Sequence, residues 1–336
     1  MLTLSANKFL GTLTNLLAIV ETADTFESGN GLYRVLSLFR STDVDRGAGK
    51  VVNAVDVLTV EDLDLNRSPW TIKAPTVSQQ QLDVESYKVV PLSLSRYLLA
   101  GAFADESAIA YFIGYVRSVM QKTKDIYLYS ELLKMIFTWY RDTGNVLTAG
   151  QKIQIELYNY TGTDSQHKLA YDRINANKIC KGILNFVKEI AGADSSAYNE
   201  LAYTEIVDPK SLVFLVNSHF DTELVVDTFA SLLKSQEIKD RFEWGETVPL
   251  PFNKVKAALT AAGSATGEAD ANKCIGIMAH ADKFQYGFMY EVLASIFNPA
   301  NLTDQDFMHF SYYMGAVKAL AGVKITANFT NVSAGA

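Results

Sequence analysis

Apolar and polar residues recur along this chain with two different periods, and the changes from one to the other mark out its elements. From Asp105 to Thr123, Ile109, Phe112, Ile113, Val116, Val119 and Met120 fall on one helical face. Asp105 and Glu106 open that helix and Lys122 and Lys124 end it, charges that suit both ends of its dipole. A second helix is predicted over Tyr127–Arg141 on Leu128, Leu132, Leu133, Ile136, Phe137 and Tyr140, stopped by Asp142-Thr143-Gly144-Asn145. Period-two alternation predicts strands over Lys152–Tyr158, over Phe284–Val292, around Met308–Tyr312 and over Val323–Phe329, with Asn298–Asn301 as a turn. Between the helices and the late strands, Thr163–Gly263 reads as a compact α/β lobe. It holds a helix over Tyr171–Ile190, a buried strand Leu212–Val216 introduced by Asp208-Pro209, and a helix over Phe220–Lys239. The small residues of Gly263–Asp270 read as an exposed loop or linker.

The first hundred residues have a different texture. Phe9, Leu13, Leu16, Leu17 and Val20 predict an amphipathic helix that stays in the mature chain, since no small-x-small cleavage site is well placed after it. Glu27–Gly49 is loose and glycine-bearing, with a short apolar patch at Leu32, Val35, Leu36 and Phe39. Val51–Leu65 and Gln79–Leu94 then alternate as two answering strands around a proline-bounded tip that carries Pro69, Trp70, Ile72 and Pro75. Lys50–Tyr97 therefore reads as a long two-stranded arm. An isolated hairpin is marginally stable in water, so it needs a surface to lie on. Trp70 either docks on another chain or packs into the hairpin's own core. Asp62 and Asp64 share one strand face, where they form a solvated edge, hold a cation, or answer a neighbouring chain's Lys or Arg.

Composition narrows the function. At 336 residues, 49% hydrophobic and 20% charged, the chain has enough apolar surface to order itself. No apolar run approaches the roughly 18 to 20 residues that a membrane-crossing helix needs. Thirty basic against 37 acidic residues give a net charge of −7, and no dense Lys/Arg block suits sequence-wide phosphate neutralisation. Cys180 and Cys274 lie in apolar settings, as in a reducing compartment.

Candidate chemistry is thin. His167, His219, His280 and His309 are scattered without metal-ligand spacing, so neither a metal nor a cofactor is expected. Gly47-Ala48-Gly49-Lys50 is followed by Val51 and a strand, which is not a phosphate-binding loop, and Ser264 lacks the setting of a nucleophile elbow. His280-Ala281-Asp282 and the acidic Asp304-Gln305-Asp306 are the remaining clusters, and no catalytic residue is assigned from them.

The order of these segments resembles the major capsid proteins of tailed bacteriophages, the Hong Kong 97-like fold. The resemblance implies an α+β subunit with an N-terminal arm (1–49), an extended hairpin loop (50–97), a peripheral domain with a long spine helix (98–162 and 264–336) and an axial domain (163–263). It implies a structural protein of the virion capsid, assembled in the host cytoplasm, whose hexamers and pentamers form an icosahedral shell around double-stranded DNA. Its partners would be further copies of itself, portal and scaffolding proteins, and packaged DNA held without sequence preference. The hairpin tip (Pro69, Trp70, Ile72, Pro75) and Asp62 and Asp64 would make inter-subunit contacts. Two other functions remain open at this stage: the shell of a bacterial encapsulating nanocompartment, and a soluble α/β enzyme with a pocket near His219 or His280.

Overall fold

The computed structural model describes residues 31–45, 49–58, 74–82, 84, 87–95, 106–162, 164–191, 195–223 and 245–332. They fall into two units. One draws on Met1–Gly49, Asp83–Glu131 and Tyr286–Tyr313, the other on Lys50–Leu82, Leu132–Gln285 and Met314–Ala336. The helix predicted over Phe9–Val20 lies outside the described residues.

The first unit begins with a helix, α1 (Gly31–Phe39), where the sequence suggested a loose stretch. Its apolar patch is spaced for one helical face, and Val35, Leu36 and Phe39 are buried. A three-stranded sheet follows, in the order β3 (Lys88–Ser95), β9 (Thr303–Ala316), β8 (Phe284–Asn298). After α1 the chain runs along the outer edge of β8: Ser41 N–H donates to Tyr286 O at 2.8 Å and Val44 N–H to Phe288 O at 2.9 Å. Gly287 makes that approach feasible, because a Cβ there would sit 2.8 Å from Thr42 O and 2.7 Å from the Tyr313 ring.

The two helices predicted over 105–141 are one, α2 (Glu106–Arg141), of 36 residues. Nothing between Lys122 and Ile126 breaks a helix, since neither Gly nor Pro occurs there. At 1.5 Å per residue it is about 54 Å long. Residues up to Glu131 belong to the first unit and those from Leu132 to the second. It ends at Asp142, at φ 51°, whose carboxylate accepts from the Val146 and Leu147 N–H groups.

The second unit is built on a five-stranded mixed sheet, ordered β4 (Lys152–Tyr160), β10 (Gly322–Val332), β7 (Cys274–His280), β5 (Leu212–Asn217), β6 (Glu246–Leu250). β4 and β10 run parallel, as do β5 and β6, while β7 is antiparallel to both its neighbours. β5 is buried along its whole length and β7 up to its last residue, which is why their sequences are continuous apolar runs. Helix α3 (Ser165–Ala191) puts Ile179, Ile183, Phe186, Val187 and Ile190 into the core with Leu157, Phe214, Val323 and Ile325. This sheet combines β5 and β6, from the expected lobe 163–263, with β4, β7 and β10 from outside it, so a boundary drawn at 162/163 and 263/264 passes through one hydrogen-bonded layer. Helix α4 (Ser218–Glu223) is the described part of the helix expected over Phe220–Lys239.

Gly263–Asp270 is a tight connection inside this unit and not a linker. Gly263, at φ 89°, closes α5 (Phe252–Ala261), and α6 (Gly267–Lys273) starts four residues on. Ser264 is buried and its hydroxyl donates to Asp270 Oδ2 at 2.5 Å. The small residues serve packing, since a Cβ on Gly267 would lie 2.3 Å from Thr260 Oγ1.

Candidate inter-subunit surface

The arm expected over Lys50–Tyr97 divides in two. β1 (Lys50–Val55) and β2 (Val77–Leu82) pair antiparallel, Lys50 opposite Leu82 and Val55 opposite Val77, as a two-stranded sheet of the second unit. The next stretch leaves them, because β3 pairs with β9 instead, Lys88 opposite Phe310 through Ser95 opposite Thr303. Alternation identifies a strand but not its partner, so the sequence showed both strands and not the exchange.

The root of the hairpin is fixed by side chains reaching backbone. Gln80 donates through Nε2 to Ala316 O at 2.7 Å and accepts at Oε1 from Lys318 N–H at 2.9 Å. At the other end of the pair, just past Val55, Asp56 Oδ1 accepts from Thr204 N–H at 3.1 Å. Leu82 is buried against Gly315, where a Cβ would come within 2.6 Å of Leu82 Cδ2. Beyond the root the hairpin has one uncovered face. The register puts Val51, Asn53, Val55, Val77, Gln79 and Gln81 on it, and all six are exposed. Val57 and Leu58 continue that exposed apolar surface towards the tip. Pro75 is exposed on the returning strand's approach. Pro69, Trp70, Ile72, Asp62 and Asp64 lie outside the described residues.

In the first unit, two ion pairs hold α2 to the β8–β9 ribbon. Arg117 donates through Nε to Asp306 Oδ2 at 2.9 Å and through an Nη to Oδ1 at 3.3 Å, and Ser295 donates to the same Oδ1 at 2.5 Å. Burial alone would raise the Asp306 carboxyl, but these hydrogen bonds and the guanidinium charge hold it below the usual range. Two helical turns later the buried Lys124 pairs with Glu291 and sits 4.9 Å over the Phe288 ring. Neither pair was legible in sequence: Asp304-Gln305-Asp306 drew notice as an acidic cluster, without its partner 189 residues away. Past these contacts the ribbon exposes Val292, Leu293, Ile296, Phe297 and Leu302.

The histidines lie on different elements. His219 is exposed beside the Phe220 and Phe252 rings, and His280 Nδ1 accepts from Asp282 N–H at 3.1 Å. His309 lies in β9 near the Phe307 ring. Burial pushes the Cys274 thiol up to about 12, which leaves it protonated and unreactive at neutral pH. Among the described residues no group of three or more His, Cys, Asp or Glu could hold a metal ion, and no helix is long and apolar enough to cross a membrane. A buried charge pair of the second unit is structural in form. Lys283 donates to Glu200 Oε1 at 2.9 Å and to Leu320 O at 2.8 Å, and Trp139 Nε1 donates to the same Glu200 oxygen at 2.6 Å.

No curated protein sequence matches the chain. Among solved structures, the capsid of Staphylococcus phage Andhra superposes with a TM-score of 0.60 at 11% identity, covering 87% of this chain and 83% of that one. The capsid of the Cyanophage P-SCSP1u gives 0.56 at 9% identity, covering 87% of each chain. The mature capsid of bacteriophage PhiM1 gives 0.54 at 12% identity, covering 86% and 85%. At such identities the likeness shows the fold alone, a mixed helix and strand fold shared with phage capsid chains. The sequence profile of the Phi29-like phage major capsid proteins matches residues 52–326, most of the chain. This protein therefore belongs to the Phi29-like phage major capsid protein family, whose members are structural components of the phage capsid.

Proposed function

We propose that this protein is a Hong Kong 97-like shell subunit that self-assembles into hexamers and pentamers of an icosahedral head enclosing double-stranded DNA. In this reading residues 1–49 form the arm, 50–97 the extended loop, α2 the spine helix of a peripheral domain (98–162 and 264–336), and 163–263 the axial domain. The strand exchange at residues 82–88 and the sheet shared across 162/163 and 263/264 make those boundaries labels for position in a shell, not for independent folding units. Portal and scaffolding proteins and non-specifically held DNA are its partners, assembly takes place in the host cytoplasm, and the chain performs no catalysis. Family membership supports a phage head over a nanocompartment shell.

One observation carries the reading: among the described residues the hairpin leaves one face exposed, with three valines on it. Burying such a face contributes about 1.5–3 kcal/mol per fully buried side chain, which an arm lying on a neighbouring copy would gain. The tip then makes the far contact, through Pro69, Trp70, Ile72 and Pro75, with Asp62 and Asp64 meeting basic groups of the neighbour. Trp70→Ala tests this. The variant subunit keeps its wild-type circular dichroism and melting temperature but forms fewer closed particles by sedimentation. A variant that unfolds as a subunit would place Trp70 in an internal core and remove the tip from the interface.

A further inference from the structure

The outer edge of β8 changes character along its length. Its first part is covered by the chain's own residues 40–44, through hydrogen bonds to Tyr286 O and Phe288 O, and Asp43 accepts from Phe288 N–H at 3.0 Å. These bonds show that the backbone groups of even-numbered residues face outward there. Along an unbroken strand the same alternation turns those of Val292, Ala294 and Ile296 outward too. Among the described residues no strand covers them, as β8 is the last strand of its sheet.

This open stretch has none of the usual guards against pairing. Natural edge strands are blunted by charge, proline or a bulge. The opposite edge of the same sheet carries Pro91, opposite Phe307, whereas Val292–Thr303 contains neither an ionisable side chain nor, before Pro299, a proline. Side chains on both faces of the stretch are exposed, Val292 and Ile296 on one, Leu293 and Phe297 on the other. Glu291, at its start, is engaged by Lys124.

We propose that β8 pairs antiparallel with β8 of a second copy, about a two-fold axis at the half-buried Ala294, with three exposed residues on either side, 291–293 and 295–297. An isologous pair sets each residue against its own copy's counterpart, so any charge on the strand would face a like charge close by. A neutral strand escapes that repulsion, and this one is neutral from Val292 to the turn. The pair extends one hydrogen-bonded ladder across two subunits and covers an apolar edge that no strand among the described residues covers. This inference rests on the shell reading, since it assigns one contact within the assembly.

The test uses assembled full-length protein. In a Cys180→Ala background, with Cys274 buried, Ala294→Cys places two thiols on a hydrogen-bonded cross-strand pair about 5.5 Å apart at Cα, within disulfide range. Mild oxidation of particles should yield a disulfide-linked dimer on non-reducing gels. Independently, Ile296→Glu and Val292→Lys should each reduce the particle fraction about tenfold or more, a change of 1.4 kcal/mol or more. The double variant should restore it to within about threefold, because residue 296 of one copy faces residue 292 of the other. Intact particles with no cross-link, single variants that assemble normally, or a double variant that fails to recover would each overturn the pairing and leave the shell reading standing. Wild-type protein that forms no particles would overturn the shell reading itself.

Discussion

Replacing Lys283 by Met removes one ammonium from the core of the second unit and keeps most of the side chain's length. Lys283 is 0% exposed and its partner Glu200 only 5%, so neither charge has water to fall back on. Burial pulls the ammonium's pKa down despite the facing carboxylate, which shows that the pair is held at a cost in desolvation. In Lys283→Met the Glu200 carboxylate keeps the Trp139 donor and loses the ammonium, while Leu320 O loses a donor at 2.8 Å. Breaking a buried pair by deleting one partner costs about 3–5 kcal/mol, about a fifth or more of the roughly 5–15 kcal/mol that holds a domain folded. Adding Glu200→Gln removes the stranded charge and keeps an oxygen for Trp139, so the double variant should regain about 2 kcal/mol or more. Urea denaturation of the unassembled subunit measures both. Because the unfolded chain binds the Lys283 proton more tightly than the folded one, wild-type stability should rise with pH in the alkaline window below 10.5, a slope the variant lacks. A cost under about 1 kcal/mol for Lys283→Met would refute the reasoning, since a solvated pair alone behaves that way.

Three further outcomes follow from named contacts. Asp306→Asn should lower subunit stability by about 1.5–3 kcal/mol at pH 7, the value of a charged hydrogen bond. The Asp306 carboxyl is held below its usual value of 3.8, so its stabilisation is present above that pH and disappears as pH falls through the lower folded value. Thermal melts of both proteins should therefore converge in strong acid, and a gap that stays constant would contradict the pairing. Gln80→Ala loses two hydrogen bonds at a half-exposed site, about 1–2 kcal/mol, which hydrogen exchange should register as roughly tenfold faster exchange confined to β1 and β2. Gly276→Val should be insoluble or about 3 kcal/mol less stable, because a Cβ there would lie 2.4 Å from Leu215 O on the neighbouring strand. A soluble variant with an unchanged melt would place β5 and β7 further apart than described.

What the sequence revealed depends on the range of the interaction. Local periods were legible: the alternation of Phe284, Tyr286 and Phe288 and the apolar run Leu212–Val216 correspond to β8 and β5. Partners were not. β3 alternates like β2 but belongs to another sheet, and only its pairing with β9 decides that. Lys122 and Lys124 read as a basic helix end, yet Lys124 is buried against Glu291, 167 residues distant, and the helix runs on. Leu32, Val35, Leu36 and Phe39 have a helical spacing with little to bury locally, and the rest of their unit, residues 83–131 and 286–313, lies further along the chain. Gly263–Asp270 shows the converse, since small residues that suggest freedom in sequence here answer close packing. The open β8 edge was not legible, because openness is a property of the sheet order.

The most direct test of the central claim is electron microscopy of the purified wild-type protein, paired with its mass by light scattering. The account predicts closed shells, rings or tubes with masses many times that of one subunit. A homogeneous monomer or dimer, unchanged by crowding or by a co-expressed scaffold, would contradict it.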